Sequence, residues 1–173
     1  MESLTIGAEM SLLSRFTDLN EILASKRVLN TQRFLDLLKS CTNIVNLQFR
    51  DDQPQDLFDR LPEHCAVQWL SIKEAPSDSG FIFRLENLIE LHLGWSVDDE
   101  FIGKVLQELR FILEFTFLYR KKRASIRVEY PDGWNCQKRF LVRFGRDERE
   151  TSDVAAVVQF LAENARQNKK LPQ

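Results

Sequence analysis

The sequence predicts an α/β repeat fold: a short parallel sheet whose strands alternate with helices, closed at the carboxyl end by a β-hairpin and a capping helix. Three observations predict it. A six-residue pattern with apolar first, fourth and sixth positions starts at Ile44, Val67, Leu88 and Ile112, in steps of 23, 21 and 24 residues. Apolar residues at helical spacing fill most of the intervals between copies. Beyond Phe117 the period fails, and strictly alternating segments take over.

Each element has its own justification. Leu47 and Phe49, Leu70 and Ile72, Leu91 and Leu93, and Phe115 and Phe117 alternate with polar neighbours, as in a strand with one buried face. Thr31 is expected to cap a helix over 32–40 with an apolar stripe of Phe34, Leu35, Leu37 and Leu38. Pro54 suits the first turn of a short helix that turns Leu57, Phe58 and Leu61 inward. Residues 75–80 read as a loop, which leaves the third interval with little helix. Ser96 or Asp98 is expected to cap 99–110, where Phe101, Ile102, Val105, Leu106 and Leu109 recur and acids occupy the first turn. Upstream, Leu4 and Ile6 mark a strand remnant, Met10 to Phe16 a helix, and 19–24 a degenerate strand. Downstream, 124–130 and 139–144 form the expected hairpin around Pro131 and Gly133, and Ser152 caps a helix running to Gln167. The expected organisation is a repeat array over 1–119 and a hairpin–helix cap over 120–173, in one structural unit. Because the array opens on a strand without a cap, the chain reads as a piece of a longer protein.

Bulk properties narrow the function. The chain has 173 residues, a formal net charge of -2 and 43% hydrophobic residues, which suits a packed core and gives no global attraction to nucleic acid or anionic membranes. Residues 1–7 lack the basic flank and apolar run of a signal peptide, and the densest apolar stretch, 111–119, is short and broken by Glu114. The expectation is an intracellular protein, cytoplasmic or nuclear, with no membrane contact. Cys41, Cys65 and Cys136 are widely spaced and form no CxxC pair, so neither a disulfide framework nor a metal site is expected.

The run from Leu35 through Leu38, Cys41, Asn43, Ile44 and Leu47 to Phe49 resembles a leucine-rich repeat of the cysteine-containing type. That subtype is common in F-box proteins. In it, a helix ends in a cysteine three residues before the first leucine of the strand. Cys41 fits; His64, Leu85 and Leu109 occupy the position in later copies, with Cys65 one residue out of register. The resemblance covers about residues 19–119. It implies a leucine-rich-repeat solenoid acting in protein recognition, as in the substrate-recognition arm of an F-box ubiquitin ligase, although no F-box is visible in this sequence.

Candidate binding residues follow from the repeat register. Positions facing outward on a concave sheet are Asn46, Gln48 and Arg50; Trp69, Ser71 and Lys73; Glu90, His92 and Gly94; and Glu114, Thr116 and Leu118. Trp and Arg are favoured anchors at interfaces, so Trp69 and Arg50 lead, joined by Gln48, Lys73, Glu90 and His92, with Trp95 extending the patch. The competing reading is that Trp69 covers neighbouring aliphatic side chains. Cys41 reads as core filler. His64 beside Cys65 suggests a thiol nucleophile only by adjacency, and no GxSxG, HExxH or phosphate-binding glycine loop is present. The carboxylates of Asp98, Asp99 and Glu100 fit a helix start. The run Arg120, Lys121, Lys122 and Arg123 is the sharpest charge feature. It reads as a solvated turn between strands or as a phosphate-contacting patch. The expected function is non-enzymatic recognition of another protein, without catalytic residues or cofactor. The alternative is a nucleic-acid-binding module built on the basic 120–149 hairpin.

Overall fold

The computed structural model describes residues 2–6, 19–24, 26–28, 30–62, 66–131 and 137–167. The chain is α/β. It divides into two compact units, Met1–Gly94 and Trp95–Gln173.

In the first unit, parallel strands follow one another in chain order: β1 (Glu2–Ile6), β2 (Leu19–Ala24), β3 (Asn46–Phe49), β4 (Trp69–Ile72) and the start of β5 (Glu90–Ser96). Helix α1 (Thr31–Ser40) separates β2 from β3, and α2 (Gln55–Asp59) separates β3 from β4. A 3₁₀ helix, Gly80–Arg84, takes the third interval, where loop residues leave room for only one tight turn. The expected helix over 10–16 lies outside the described residues.

The ladder runs without a slip from β2 to β5: Ile22, Leu47, Leu70 and Leu91 share one rung, and all four are at most 1% exposed. A one-residue slip would turn the apolar set to solvent, which pins the register. The pattern's first position falls just before each strand, yet Ile44, Val67 and Leu88 are also buried. Four phenylalanines form a ladder across this core. Phe34 of α1 lies 5.9 Å from Phe49 of β3, Phe49 meets Phe58 of α2 edge-on at 5.4 Å, and Phe58 stacks on Phe81 at 4.6 Å. Offset and edge-on pairs of this kind add about 0.5–1.5 kcal/mol each beyond area burial.

Two polar devices complete the unit. The buried Gln53 accepts from Val28 N–H at 2.8 Å and donates to the carbonyls of Lys26 and Asp51, tying successive loops together. Arg84 donates to the carbonyls of Phe58 and Asp59 at the end of α2, where a cation also suits the helix dipole. The cap of α1 is Asn30, whose side chain accepts from Arg33 N–H at 3.0 Å; Thr31 is the first helical residue.

The second unit holds α3 (Asp99–Glu108), β6 (Glu114–Tyr119), β7 (Lys122–Glu129), β8 (Arg139–Phe144), β9 (Asp147–Thr151) and α4 (Val154–Gln167). Asp98 caps α3, accepting from Phe101 N–H at 2.8 Å. At α4 the bonding side chain is Asp153, which accepts from Ala155 N–H, rather than Ser152. The expected hairpin is present as β7 and β8, paired antiparallel from Ala124–Phe144 to Glu129–Arg139. The meander is longer than expected: β6 pairs antiparallel with β7, and β8 with β9. Thr116, an expected outward position, is buried at 6% exposure, so β6 is covered on both faces.

The only two tyrosines of the chain make the second unit testable by titration. Tyr119 is buried, and its hydroxyl donates to Asp99 Oδ1 at 2.7 Å. Burial, then the Asp99 bond and charge, push its pKa up to about 12, against the opposing Arg120. Tyr130 donates to the Arg110 carbonyl at 2.7 Å, and burial raises its pKa as well. Because both folded values lie above the unfolded one, the stabilisation is fully present below about pH 10 and is lost as pH rises through the folded values. An ultraviolet phenolate titration should therefore place both ionisation steps at higher pH in the folded chain than in urea, with that of Tyr119 at about 12. A folded-state titration that coincides with the one in urea would contradict the placement.

Candidate functional site

The register that buries one face of β3–β5 aligns the other. Asn46, Trp69 and Glu90 share a rung, with Glu21 of β2 beside Asn46. Gln48, Ser71 and His92 share the next, with Leu23 beside Gln48. All eight side chains are half-buried. Arg50 and Lys73 directly follow β3 and β4 and are exposed. Their N–H groups donate to the carbonyls of Ala24 and Phe49, each at 3.0 Å, continuing the ladder one residue beyond the paired strands. Of the seven expected binding residues, six therefore lie along the successive rungs of one surface. Trp95 has the opposite parity in β5, in phase with Leu91 and Leu93 rather than with Glu90 and His92.

The centre of the surface is an aromatic pair. The Trp69 ring lies 5.3 Å from the His92 ring, tilted by 44°. His92 Nε2 is shielded from solvent and makes no hydrogen bond among the described residues; Glu90 Oε2 lies 3.6 Å away, just beyond bonding reach. A shielded, unbonded imidazole nitrogen costs of the order of 1–3 kcal/mol in the free protein. Repeat periodicity gave no sign of this contact, since it joins residues 23 positions apart through side-chain orientation. Charge is graded along the strands: Glu21 and Glu90 lie towards their start, Arg50 and Lys73 beyond their end. The surface can offer an aromatic platform, amide and hydroxyl groups, and charges of both signs.

Cys41 is buried, and burial raises its thiol pKa, the opposite of the shift that activates a nucleophile. It borders a cleft of about 400 Å³ lined by Leu38, Ile44, Pro62, Val67 and Asn87. Cys65, Cys136 and His64 lie outside the described residues. Among the described residues no group of His, Cys, Asp or Glu could hold a metal ion, and no helix is long and apolar enough to cross a membrane.

The basic run lies at the β6–β7 connection. Arg120 and Lys121 form a two-residue turn, and Lys122 and Arg123 begin β7; all four are exposed. Three other cations of the 120–149 segment are engaged, while Arg127, Arg146 and Arg149 are exposed. Arg143 grips Glu148 Oε2 through two nitrogens at 3.0 and 2.6 Å, and Arg139 pairs with Glu150 at 3.1 Å. Lys138 donates to the carbonyls of Leu106 and Leu109 at the end of α3, and burial lowers its pKa. Sequence spacing gave no hint of this helix-end contact. Compared with family models, with curated proteins and with solved structures, the chain matches none.

Proposed function

We propose that the chain is a leucine-rich-repeat-type module that recognises another protein, without catalysis, through the open face of β3–β5. The observation that carries this reading is the unslipped register that gathers Gln48, Trp69, Glu90 and His92, with Arg50 and Lys73 at the end, on one surface. A half-exposed tryptophan surrounded by adaptable polar groups has the composition of an interface centre. Steps of 21 to 24 residues, each spanning one strand and the segment that returns to the next, are the support for a leucine-rich-repeat solenoid. The Cys41 repeat adds the narrower reading of a substrate-recognition arm of an F-box type ubiquitin ligase.

Affinity purification with wild type and with Trp69→Ala combined with Arg50→Ala tests the proposal. The expected result is loss of specific partners, with binding weakened by about 2 kcal/mol or more and an unchanged thermal midpoint. Identical partner sets would reject the open face as the binding surface. Co-purification of ligase scaffold components supports the narrower reading, and their absence from a chain that retains its other partners removes it. Nucleic-acid binding by the basic segment is the less favoured reading, because the cross-strand pairs of Arg139 and Arg143 neutralise the sheet behind the turn. It requires binding that falls steeply with salt.

A further inference from the structure

The β6–β7 turn is built from the wrong residues for its shape. Tyr119 pairs with Lys122, leaving Arg120 and Lys121 as a two-residue connection with φ of 49° and 68°. Positive φ at both central positions is the signature of a type I′ turn, which Asn-Gly adopts without strain. Here two long, Cβ-bearing cations occupy it, and among the described residues they are the only non-glycine residues with positive φ. By contrast, the β8–β9 connection puts Gly145, with φ of 65°, at its one left-handed position.

Strain persists only where the surroundings impose it, and here they do. The buried Tyr119 anchors one side through Asp99 Oδ1, and Lys121 N–H donates to Ser96 Oγ at 3.1 Å on the other. The Arg120 guanidinium lies over the Tyr119 ring, 5.4 Å from its centroid, so its plane is held rather than free. The result is a stiff knob with four consecutive exposed cations. Arg120 to Arg123 form no ion pair among the described residues, whereas Arg139 and Arg143 behind them do. A turn need not be cationic to close a hairpin, so its closing role leaves these residue types unexplained.

We propose that this hairpin tip docks a phosphorylated, acidic segment of a partner protein. A planar, pre-oriented guanidinium beside lysine ammonium groups suits the oxygens of a phosphoryl group. The extent of the charge selects among anions. It is densest at the turn; elsewhere in the meander the exposed Arg127, Arg146 and Arg149 are interspersed with the exposed Asp147, Glu148 and Glu150, and Arg139 and Arg143 are paired. That fits a compact anionic cluster and lacks the continuous basic track that a nucleic-acid backbone needs. The proposal does not depend on the open face of β3–β5.

The test compares the full chain with Arg120→Asn/Lys121→Gly, and with Lys122→Gln/Arg123→Gln as a charge-only variant. The probes are a peptide of alternating phosphoserine and aspartate, its unphosphorylated serine form, a duplex DNA, a single-stranded RNA and vesicles rich in an anionic lipid. The expected result is saturable binding of the phosphopeptide, weakened about tenfold or more in both variants, and far weaker binding of the other probes. Relief of the turn should also raise the melting temperature of Arg120→Asn/Lys121→Gly while binding is lost. Absence of phosphopeptide binding, tighter binding of DNA, RNA or vesicles, or a lowered melting temperature in the Asn-Gly variant would each overturn the proposal.

Discussion

Replacing Phe49 with alanine should cost about 3–5 kcal/mol, enough to unfold the first unit at moderate temperature. Phe49 is fully buried and holds the middle of the four-ring ladder, touching Phe34 on one side and Phe58 on the other. Its removal opens a cavity between β3, α1 and α2 at once, so neither helix can move in without leaving the other. The second rung of the sheet loses its apolar filler in the same step, since Phe49 pairs in register with Ile72 and Ala24. Urea unfolding is the measurement, with Leu113→Ala as comparison. Leu113 is 36% exposed, and its truncation should change stability by about 0.5 kcal/mol or less. Equal small effects at both positions would show that the ring ladder does not hold the core.

Why Phe49 was legible in the sequence and other features were not has a physical basis. A strand with one covered face writes its burial into the chain as alternation, and Leu47, Phe49, Leu70, Ile72, Leu91 and Leu93 carry that signal directly. The first apolar position of each copy was equally legible because Ile44, Val67 and Leu88 turn into the core just before the strand begins. Alternation is blind to strand direction, however. Phe115 and Phe117 repeat the pattern, yet β6 pairs antiparallel with β7. β9 escaped notice altogether because Asp147 to Thr151 has no apolar face: it joins the ladder through backbone bonds and through Arg143–Glu148 and Arg139–Glu150. Helix caps missed by one residue, Asn30 for Thr31 and Asp153 for Ser152, because neighbouring side chains offer the same acceptor chemistry and only backbone geometry chooses.

The candidate surface divides along the same line. Gln48, Trp69, Glu90 and His92 were legible as outward positions of aligned strands. The shielding of His92 Nε2 and its approach to the Trp69 ring were not, since both depend on side-chain placement that strand register leaves open. The tasks of Gln53, Arg84 and Lys138 were also invisible, because each bonds to a backbone group that any residue type would offer. The parity of Trp95, by contrast, could have been counted from Leu91.

Gly94→Ala should be the most damaging of the small substitutions, and the reason lies in the backbone. A Cβ built on Gly94 would lie 2.2 Å from the Lys73 carbonyl oxygen and 2.8 Å from the Lys73 carbonyl carbon. These are main-chain atoms directly after β4, so no rotamer change relieves the overlap; one strand must shift away from the other. Overpacking of this kind costs about 1–3 kcal/mol, and the upper end is expected where both partners are strand backbone. The shift would fall on Lys73 itself and two residues from His92, so the open face should weaken as a binding surface along with the fold. Gly103→Ala provides the opposite expectation. That glycine lies inside α3, where an added methyl meets only Val154 Cγ1 at 3.9 Å, an ordinary contact. Alanine there should gain about 0.5–1 kcal/mol from helix propensity. Chemical denaturation of both variants should therefore move the midpoint in opposite directions. A neutral Gly94→Ala would mean that β4 and β5 stand further apart after Ile72 and Leu93 than the ladder places them, and that the glycine is there for some reason other than close approach.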